Sequence, residues 1–299
     1  MELSVVVSTL NDRERLLSSL DALAERTPPS TEIIVVNGPS SDGTTGAVRE
    51  RDDVDVLVEI SERNESVSRN AGLEQATGDV VAFLDGEYAI DQSWYEAIDD
   101  QIDDETNVVT GPVTGSPAVS ELKQPREKGG QRITHFHGDN VAFERPVLEA
   151  LDGFDEYIGQ ESERDCAHRV AALGFDVSWN AAMAARCEFG TDGGRADPDW
   201  GVTYRSMTYR LAKNYGPRPR VLTRTAKNAV HDGAAGACQL ASGDATPTGW
   251  VSDGTDVVRN AARGFLDGLR ARYADRSNRR NPNGLSKRHD RAVHVYDRR

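Results

Sequence analysis

The chain has 299 residues, of which 37% are hydrophobic, enough to bury the core of one large domain with an appendage. Its net charge of −14 is unevenly distributed, because residues 201–299 carry 19 Lys and Arg against 8 Asp and Glu, whereas residues 1–200 carry 16 against 41. No stretch approaches the roughly 18 apolar residues of a membrane span, so the sequence predicts no transmembrane helix.

The amino terminus and the cysteines predict a cytoplasmic protein. Met1 to Ser8 begins directly with a strand-like pattern and lacks the charged, apolar and small-residue regions of a signal peptide. Cys166, Cys187 and Cys238 are odd in number, widely spaced and outside any paired metal-ligand motif. We therefore expect free thiols in a reducing compartment.

Strands and helices alternate along the first part of the chain. Leu3 to Thr9 is rich in Val and predicts a strand, and Asp12 is placed to cap the helix that follows. The next predicted elements are strands at 32–37 and 54–60, a strand that starts at Asp79, a short helix after residue 44, and a helix at 66–76. This order predicts an α/β domain with a mainly parallel sheet, helices on both faces, and a ligand crevice beyond the carboxyl ends of the strands.

Residues 80–87 read Val-Val-Ala-Phe-Leu-Asp-Gly-Glu, an apolar run that ends in two carboxylates one residue apart. Apolar side chains on both faces are typical of a strand covered by helices on each side, and the small Gly86 lets Asp85 and Glu87 turn toward one cation. A hard divalent metal held there would bind a diphosphate. The alternative is an ordinary acidic turn, because short acidic pairs are common in an acidic protein.

The turns of the predicted sheet lack glycine-rich phosphate-binding motifs. The first strand continues into Ser-Thr-Leu-Asn-Asp, without a dinucleotide fingerprint, and the sequence contains no Gly-x-x-x-x-Gly-Lys-Ser/Thr loop. A Rossmann dehydrogenase and a P-loop ATPase are therefore disfavoured. A metal at the acidic pair would neutralise phosphate in place of a helix amino terminus.

Several motifs together resemble a known family. The stretches "SVVVSTLNDRERLLSSLDAL", "EIIVVNGPSSDGT" and "SVSRNAGLEQATGDVVAFLDGE" resemble the nucleotide-sugar half of a family 2 glycosyltransferase of the GT-A fold. "GDNVAFERPVLEALDGFDE" and "ESERDCAHRVAALGFDV" are similar to the acceptor-side half of that family, and the ordered set covers about residues 1–180. "VVNGPSSDGT" and "RDCAHRVAALG" further resemble glycosyltransferases of haloarchaeal N-glycosylation, which build glycans on dolichol phosphate, including that of the S-layer glycoprotein.

The resemblance implies a nucleotide-sugar donor site and a metal. Asp85 and Glu87 match the Asp-x-Asp signature that binds Mg²⁺ or Mn²⁺ through the diphosphate of the donor, and we expect a uridine-linked donor. Arg69 matches an arginine placed toward the diphosphate, although an ion pair with Glu65 one turn away is an alternative. The positions that match nucleoside contacts, each of which can also be a turn or cap residue, are Thr9, Asn11, Asn37 and Asp42.

An inverting transfer needs a carboxylate that removes the proton of the acceptor hydroxyl. In "GFDEYIGQESERDCAHR", alignment of "DCAHR" with the usual "DLxxR" of the family places Glu163 at the position of the base, which is normally Asp. Asp165 and Glu161 remain alternatives, because a one-residue bulge before the helix would exchange them. Acidic residues in the first turn of a helix can also serve only its dipole.

The segment around Gly138-Asp139-Asn140 is expected to bind the acceptor. Asp139 is the candidate for sugar hydroxyls. His135 and His137 alternate on a predicted strand and face one side, so that His137 is a second candidate, although paired histidines are more often structural. A hexuronic acid substrate would need a cation for its carboxylate, for which the nearby candidates are Lys128, Arg132 and Arg145.

The predicted organisation has three parts. Residues 1–200 form a GT-A catalytic domain, with a nucleotide-sugar half at 1–110 and an acceptor half at 111–200, followed by a basic helical extension at 201–278 and a disordered polar tail at 279–299. Within the extension, an apolar stripe at helical spacing is flanked by arginines. The stripe comprises Val251, Val257, Val258, Ala261, Ala262, Phe265, Leu266, Leu269 and Tyr273, and the arginines are Arg259, Arg263, Arg270, Arg272 and Arg276.

This basic region can meet anionic lipid head groups, nucleic acid or the acidic body, and the stripe can pack on the catalytic domain. We expect peripheral contact with the cytoplasmic face of the cell membrane and no nucleic acid partner. The resemblance thus predicts an inverting, metal-dependent glycosyltransferase that acts on a lipid-linked glycan. The alternatives are a sugar nucleotidyltransferase of the same fold, which normally has a Gly-rich basic amino-terminal loop, and a non-catalytic sugar-nucleotide binding module.

Overall fold

The structure is a computed structural model that describes residues 1–102, 106–114, 126–128, 131–159, 161–187, 199–218, 223 and 247–299. Parts of the predicted acceptor half and of the basic extension lie outside these residues. The chain divides into two compact units, one formed by Met1–Gly194 with Asn283–Arg299 and the other by Arg195–Pro282. No helix among the described residues has the length and apolar character needed to cross a membrane.

The first unit is built on an eight-stranded sheet with the order β11-β6-β10-β4-β1-β2-β3-β13. Strands β1, β2, β3, β4, β6 and β11 run in one direction, and β10 and β13 run antiparallel to their neighbours. The strands of this sheet are β1 (Leu3–Thr9), β2 (Glu32–Asn37), β3 (Val56–Ile60), β4 (Val80–Asp85), β6 (Val108–Thr110), β10 (Asn140–Glu144), β11 (Val177–Trp179) and β13 (Ala292–Asp297). The mainly parallel sheet confirms the predicted α/β fold class.

Smaller elements complete the first unit. A three-stranded sheet contains β5 (Ala89–Ile90), β7 (Val113–Thr114) and β12 (Ala185–Arg186), and a hairpin contains β8 (Arg126–Lys128) and β9 (Gln131–Ile133). The helices are α1 (Arg13–Arg26), α2 (Thr44–Arg49), α3 (Glu65–Gln75), α4 (Trp94–Asp99), α5 (Arg145–Leu151) and α6 (Ser162–Leu173), and Leu285–Lys287 forms a 3₁₀ turn.

Helices cover both faces of the sheet because its strands are apolar on both sides. Val5 and Val7 point to one face, where they join a buried cluster with Leu16 of α1. Val6 points to the opposite face, where Gly72 of α3 lies so close that a Cβ there would come within 2.2 Å of the Val6 side chain. The glycine therefore lets α3 sit directly on the sheet.

The described residues of the second unit form a pair of packed helices, α7 (Trp200–Tyr215) and α8 (Pro247–Ala274). Gly264 and Gly268 of α8 pack on the backbone of α7, since a Cβ at either position would come within 2.4 Å of the carbonyl oxygen of Arg205 or Tyr209. The helical character of the carboxyl-terminal region is thus confirmed. Small residues one turn apart allow the close approach of the two helices.

The prediction that residues 279–299 are disordered is wrong for the last part of this segment. Residues 292–297 form the edge strand β13, which pairs antiparallel with β3. Arg291 is 2% exposed, and its guanidinium donates to the carboxylates of Glu74 (2.6 Å) and Glu156. The polar composition suggested disorder, but several arginines of this segment are partners of acidic residues in the body. Arg288 likewise donates to Glu156 at 2.7 Å.

We expect Arg291→Met to lower the free energy of unfolding by about 3–5 kcal/mol, because the substitution leaves two largely buried carboxylates short of their counter-charge. Urea denaturation of the purified protein measures this loss. Val293→Thr on the exposed face of the same strand is the matched control and should change stability by less than about 0.5 kcal/mol. Equal effects of the two substitutions would refute the structural role of the tail.

Candidate active site

Three residues predicted at the site lie together where neighbouring strands end. Thr9, Asn37 and Asp85 are the last residues of β1, β2 and β4. In register, Thr9 lies beside Asn37, and Ser8 lies beside Asp85. The parallel pairing of these strands therefore brings the predicted nucleoside and metal positions to one edge of the sheet.

The loops after β1 and β2 are held together by their polar side chains. Asn11 adopts a positive φ of 53°, and its side-chain oxygen accepts from the backbone N–H of Ser41 at 2.7 Å. Asp42 accepts from the backbone N–H of Arg13 at 2.9 Å and from the hydroxyl of Thr44 at 2.6 Å. These two side chains thus shape the loops, as the turn and cap alternative requires.

Asn37 and Thr9 differ in how their polar atoms are used. The amide nitrogen of Asn37 donates to Thr45 at 3.0 Å, and its oxygen accepts from the hydroxyl of Ser40 at 2.7 Å. The hydroxyl of Thr9 is buried and has no hydrogen-bond partner among the residues that the structure describes. Among the predicted nucleoside positions, Thr9 is therefore the one whose hydroxyl can form a hydrogen bond with a ligand.

Arg69 of α3 is the cation at the centre of the site. Its guanidinium is 5% exposed and lies 3.1 Å from Asp139 and 3.6 Å from Glu65, and it donates to the hydroxyl of Ser162 at 2.7 Å. The pKa of Arg69 is raised, since the carboxylates around it outweigh burial, which acts in the opposite direction. The ion pair with Glu65, which is the alternative to a role at the diphosphate, is therefore present, and Arg69 contacts Asp139 as well.

Asp85 and Glu87 occupy different environments. The carboxylate of Asp85 accepts from the backbone N–H of Glu87 at 3.0 Å, whereas the carboxylate of Glu87 pairs with Arg15 at 3.1 Å. Burial raises the pKa of Asp85 well above its usual range, and the charge of Asp139 raises it further. Asp85 is therefore a largely buried carboxyl group that has a second carboxylate, Asp139, nearby.

The carboxyl groups gathered at the end of β4 fit a divalent cation. Burial also raises the pKa of Glu65, with a further contribution from Asp139, although Arg69 opposes the shift. Among the described residues, no group of three or more His, Cys, Asp or Glu side chains forms a closed metal site. Two carboxylates suffice for Mg²⁺ or Mn²⁺ when phosphate oxygens and water complete the coordination.

The acidic residues of α6 separate into different roles. Burial raises the pKa of Glu163 to about 7, against the opposing charge of Arg69. Asp165 is fully buried and pairs with Arg169 at 2.8 Å, whereas Glu161 pairs with Arg164 at 3.4 Å. Asp165 is therefore engaged inside the fold, and Glu163 is the acid of this helix that shares the environment of Arg69.

The predicted strand with His135 and His137 on one face is wrong, because residues 134–137 follow β9 without strand structure. His135 instead stacks edge-on against His168 at 5.7 Å between ring centroids. His137 lies 3.5 Å from Asp139, and burial lowers the pKa of His137. Asp139 and His137 therefore do lie at the site, beside Arg69.

The candidate cations for a sugar carboxylate are not equivalent. Arg145 is engaged in the fold, since its guanidinium donates to the carbonyl oxygens of Gly78 at 2.8 Å and Ala76 at 3.0 Å. Arg132 is exposed and lines a separate cavity. The side chain of Lys128 lies outside the described residues.

Two further residues of the site were not predicted. Gly138 packs between the two key side chains, because a Cβ there would lie 2.9 Å from the guanidinium of Arg69 and 3.1 Å from the Cβ of Glu163. Ser162 receives a hydrogen bond from Arg69 across 93 positions of sequence. No local pattern signals contacts of this range, although the turn at Gly138 could have indicated a close approach.

Comparison with known proteins shows what this chain is similar to. Residues 4–150 match the family model described as glycosyl transferase family 2. The chain is 33% identical over 99 residues to glycosyltransferase AglE of Haloferax volcanii, covering 31% of this chain and 33% of that protein. It is 26% identical over 188 residues to the glucosyl-dolichyl phosphate glucuronosyltransferase of the same organism, covering 55% and 59%. The matched part of the chain thus spans about a third of the length of the first relative and about three fifths of the length of the second.

Solved structures show the same GT-A fold. The mannosyltransferase PcManGT from Pyrobaculum calidifontis, in complex with GDP-Man and Mn²⁺, superposes with a TM-score of 0.59 at 21% identity, covering 89% of this chain and 87% of that one. TarS 1–349 from S. aureus, in complex with UDP-GlcNAc, superposes with a TM-score of 0.61 at 16% identity, covering 92% of each chain. These similarities concern the fold.

The raised pKa of Glu163 predicts a pH-dependent stability difference. The folded-state pKa of Glu163, about 7, lies above the usual 4.5, so the folded protein favours the protonated carboxyl group. Glu163 therefore makes its full contribution to the free energy of unfolding below pH 4.5, and this contribution is lost as the pH rises through 7. Glu163→Gln should therefore gain stability over the unchanged protein between pH 5 and 8, by at most about 3 kcal/mol.

Thermal unfolding at pH 5, 6, 7 and 8 measures this difference. Asp165→Asn is the matched control on the same helix, and it should destabilise the protein throughout this range because it breaks the buried pair with Arg169. A stability difference for Glu163→Gln that does not change with pH would contradict the environment assigned to Glu163.

Proposed function

Because residues 4–150 belong to glycosyl transferase family 2, we propose that this protein is an inverting, metal-dependent glycosyltransferase. It transfers a sugar from a nucleotide-diphosphate donor to a glycan carried on dolichol phosphate. The observation that carries this proposal is the cluster in which the buried cation Arg69 connects Asp139 with the start of the helix that bears Glu163, beside the end of β4 at Asp85.

Glu163 is the general base in this proposal. A carboxyl group with a pKa of about 7 is about half ionised at neutral pH, and its carboxylate is a stronger base than that of an ordinary glutamate. Arg69 holds Ser162, the residue before it, and so fixes the start of the helix from which the base projects. Asp165 has no part in the transfer, because its carboxylate is fully engaged by Arg169.

The donor occupies the edge of the sheet at the ends of β1, β2 and β4. The buried hydroxyl of Thr9 contacts the nucleoside, and Asn11, Asn37 and Asp42 keep the surrounding loops in shape. Asp85 and Glu87 would hold Mg²⁺ or Mn²⁺, which would supply positive charge to the departing diphosphate. Arg69 adds a permanent positive charge on the same side of the cluster.

The acceptor is proposed from the relatives and from the acceptor-side residues. The glucuronosyltransferase named above acts, by its name, on glucosyl-dolichyl phosphate, which supports a hexuronic acid donor and a lipid-linked glucose-containing acceptor in N-glycosylation. Asp139 and His137 lie beside Arg69, where they can bind acceptor hydroxyls. UDP is the proposed nucleotide.

The two alternative functions make different demands on Glu163. A sugar nucleotidyltransferase of this fold joins a sugar phosphate to a nucleotide and has no acceptor hydroxyl to deprotonate. A non-catalytic binding module needs the donor edge but no base. The raised pKa of Glu163 beside Arg69 favours the glycosyltransferase over both.

The decisive experiment titrates the purified protein with a panel of UDP- and GDP-sugars, with Mn²⁺ and after chelation, by calorimetry. We expect one donor to bind in a Mn²⁺-dependent manner and Asp85→Asn to weaken that binding by at least about tenfold, since it removes the charged ligand. Glu163→Gln should retain donor binding while transfer to a dolichyl-phosphate glucoside falls by about 10²–10⁴-fold.

Asp91→Asn is the control for loss of a surface carboxylate, because Asp91 follows β5 and forms a largely exposed ion pair with Arg186. It should leave donor binding unchanged. The proposal is refuted if no donor binds with or without Mn²⁺. Donor binding with full transfer by Glu163→Gln would refute the assignment of the base.

We further propose that the second unit contacts the cytoplasmic face of the cell membrane. On α8, Val258, Leu266 and Tyr273 are more than half exposed and lie on one face. Exposed Arg259 and Arg263 lie beside them. A row of apolar side chains next to arginines is typical of helices that lie on anionic lipid.

Co-sedimentation with phosphatidylglycerol vesicles tests this contact. Leu266→Glu should reduce the bound fraction several-fold, because it removes apolar area and adds a repelled charge, and binding should weaken as salt rises. Ala24→Glu, on an exposed position of α1 in the first unit, is the charge-matched control. Equal binding by all three proteins, or binding only to uncharged vesicles, would contradict the proposal.

A further inference from the structure

A cavity of about 390 Å³ lies at one edge of the large sheet, in addition to the cluster around Asp85. It is bounded by one face of α6, by the strand β11 and by β9. Its volume is near the lower end of the range of about 300–1,000 Å³ for ligand pockets, which suits a single small ring better than a nucleotide. The lining residues that bear on its chemistry are Arg132, Ala167, Ala171, Phe175, Asp176 and Trp179.

The cavity continues the face of α6 that carries the proposed base. Glu163, Ala167 and Ala171 are spaced by four residues and therefore lie on one side of the helix. A rise of 1.5 Å per residue places Ala171 about 12 Å along the helix from Glu163. The cavity therefore begins at Ala167, about 6 Å along the helix from Glu163, and a second sugar in the cavity would lie close to the sugar that reacts at Glu163.

The strand pairing also places the cavity on the side of the sheet where β4 ends. Trp179 of β11 lies beside Thr110 of β6, which lies beside Val141 of β10, and the preceding Asn140 lies beside Leu84 of β4. Trp179 is therefore at the same edge of the sheet as the carboxyl end of β4. Three strand spacings separate the two strands, or about 14 Å.

The lining combines an aromatic surface with one donor and one acceptor of opposite charge. Trp179 and Phe175 offer apolar area to the C–H face of a sugar ring. Arg132 and Asp176 are exposed and line the same cavity, and the hydrogen bonds of Asp176 with Asn107 and Val108 involve its backbone, which leaves its carboxylate toward the cavity. A phosphate would be repelled by Asp176, and a lipid chain would leave both polar groups buried without partners.

We propose that this cavity binds an uncharged pyranose unit of the acceptor glycan, displaced along the chain from the unit that reacts at Glu163. The inference rests on the proposed function, and it adds a second sugar subsite on the acceptor side. Arg132 donates to ring hydroxyls, Asp176 accepts from them, and Trp179 packs on the ring. An acceptor with a second sugar would therefore bind more tightly than a single lipid-linked glucose, which can still place its hydroxyl at Glu163.

The test measures direct binding of methyl glucoside, methyl mannoside and methyl galactoside to the full chain by saturation-transfer NMR and calorimetry. We expect saturable binding of at least one glycoside. Arg132→Gln should weaken it about tenfold through loss of a charged hydrogen bond, and Trp179→Leu about fivefold through loss of the aromatic surface. Ala171→Leu should weaken it at least about tenfold, because added methyl groups fill the cavity.

Ala172→Leu is the matched control, since it adds the same volume to the same helix at a position that does not line the cavity. Asp85→Asn and Glu163→Gln should retain glycoside binding, so that this result is independent of donor binding and transfer. The proposal is overturned if no glycoside saturates, if Ala171→Leu binds like the unchanged protein, or if glucuronate or phosphate binds in preference. In each of those cases Mn²⁺-dependent donor binding can still hold, and the proposed function survives on its own.

Discussion

The site depends on one buried cation that has too many anionic neighbours. Arg69 is almost fully buried, and an arginine in that position is stable only where carboxylates and hydroxyls replace its hydration. Asp139 and Glu65 provide that replacement. One guanidinium cannot neutralise the whole cluster, and burial, with a smaller contribution from neighbouring carboxylates, raises the pKa values of Asp85 and Glu163. A bound cation and a diphosphate would complete the charge balance.

The fold brings this cluster together from distant parts of the chain, and the carboxyl-terminal segment stabilises the arrangement. The segment before α6 is tied to α3 through Asn70, whose side chain binds both the backbone of Phe154 and the carboxylate of Glu156. The same carboxylate is held by Arg291 and Arg288 from the end of the chain. Residues near the terminus thus act on the approach to the base without touching it.

Sequence patterns predicted the strands, because these depend on local periodicity. They did not predict the side-chain partners that come from distant parts of the chain. The apolar runs located the central strands, and their parallel order correctly placed Thr9 and Asp85 at one edge. The same reasoning could not exclude Asp165, although its partner Arg169 lies four residues away and a helical pair of this spacing is readable in principle. The tail was misjudged because composition does not reveal that Arg291 has buried acidic partners. Contacts across tens of residues leave no local signal.

The pairing of Glu87 with Arg15 does not remove Glu87 from a metal site. Both side chains are a quarter to a third exposed, so water screens the pair, and such pairs contribute only about 0–1 kcal/mol. A divalent cation at Asp85 would attract Glu87 more strongly than Arg15 does, because it carries twice the charge and lies in a more buried region. The longer side chain of Glu, compared with the Asp of the usual motif, lets the same residue reach either partner. Asp85, whose environment is the more buried, is therefore the fixed member of the proposed metal-binding pair, and Glu87 is the adjustable one.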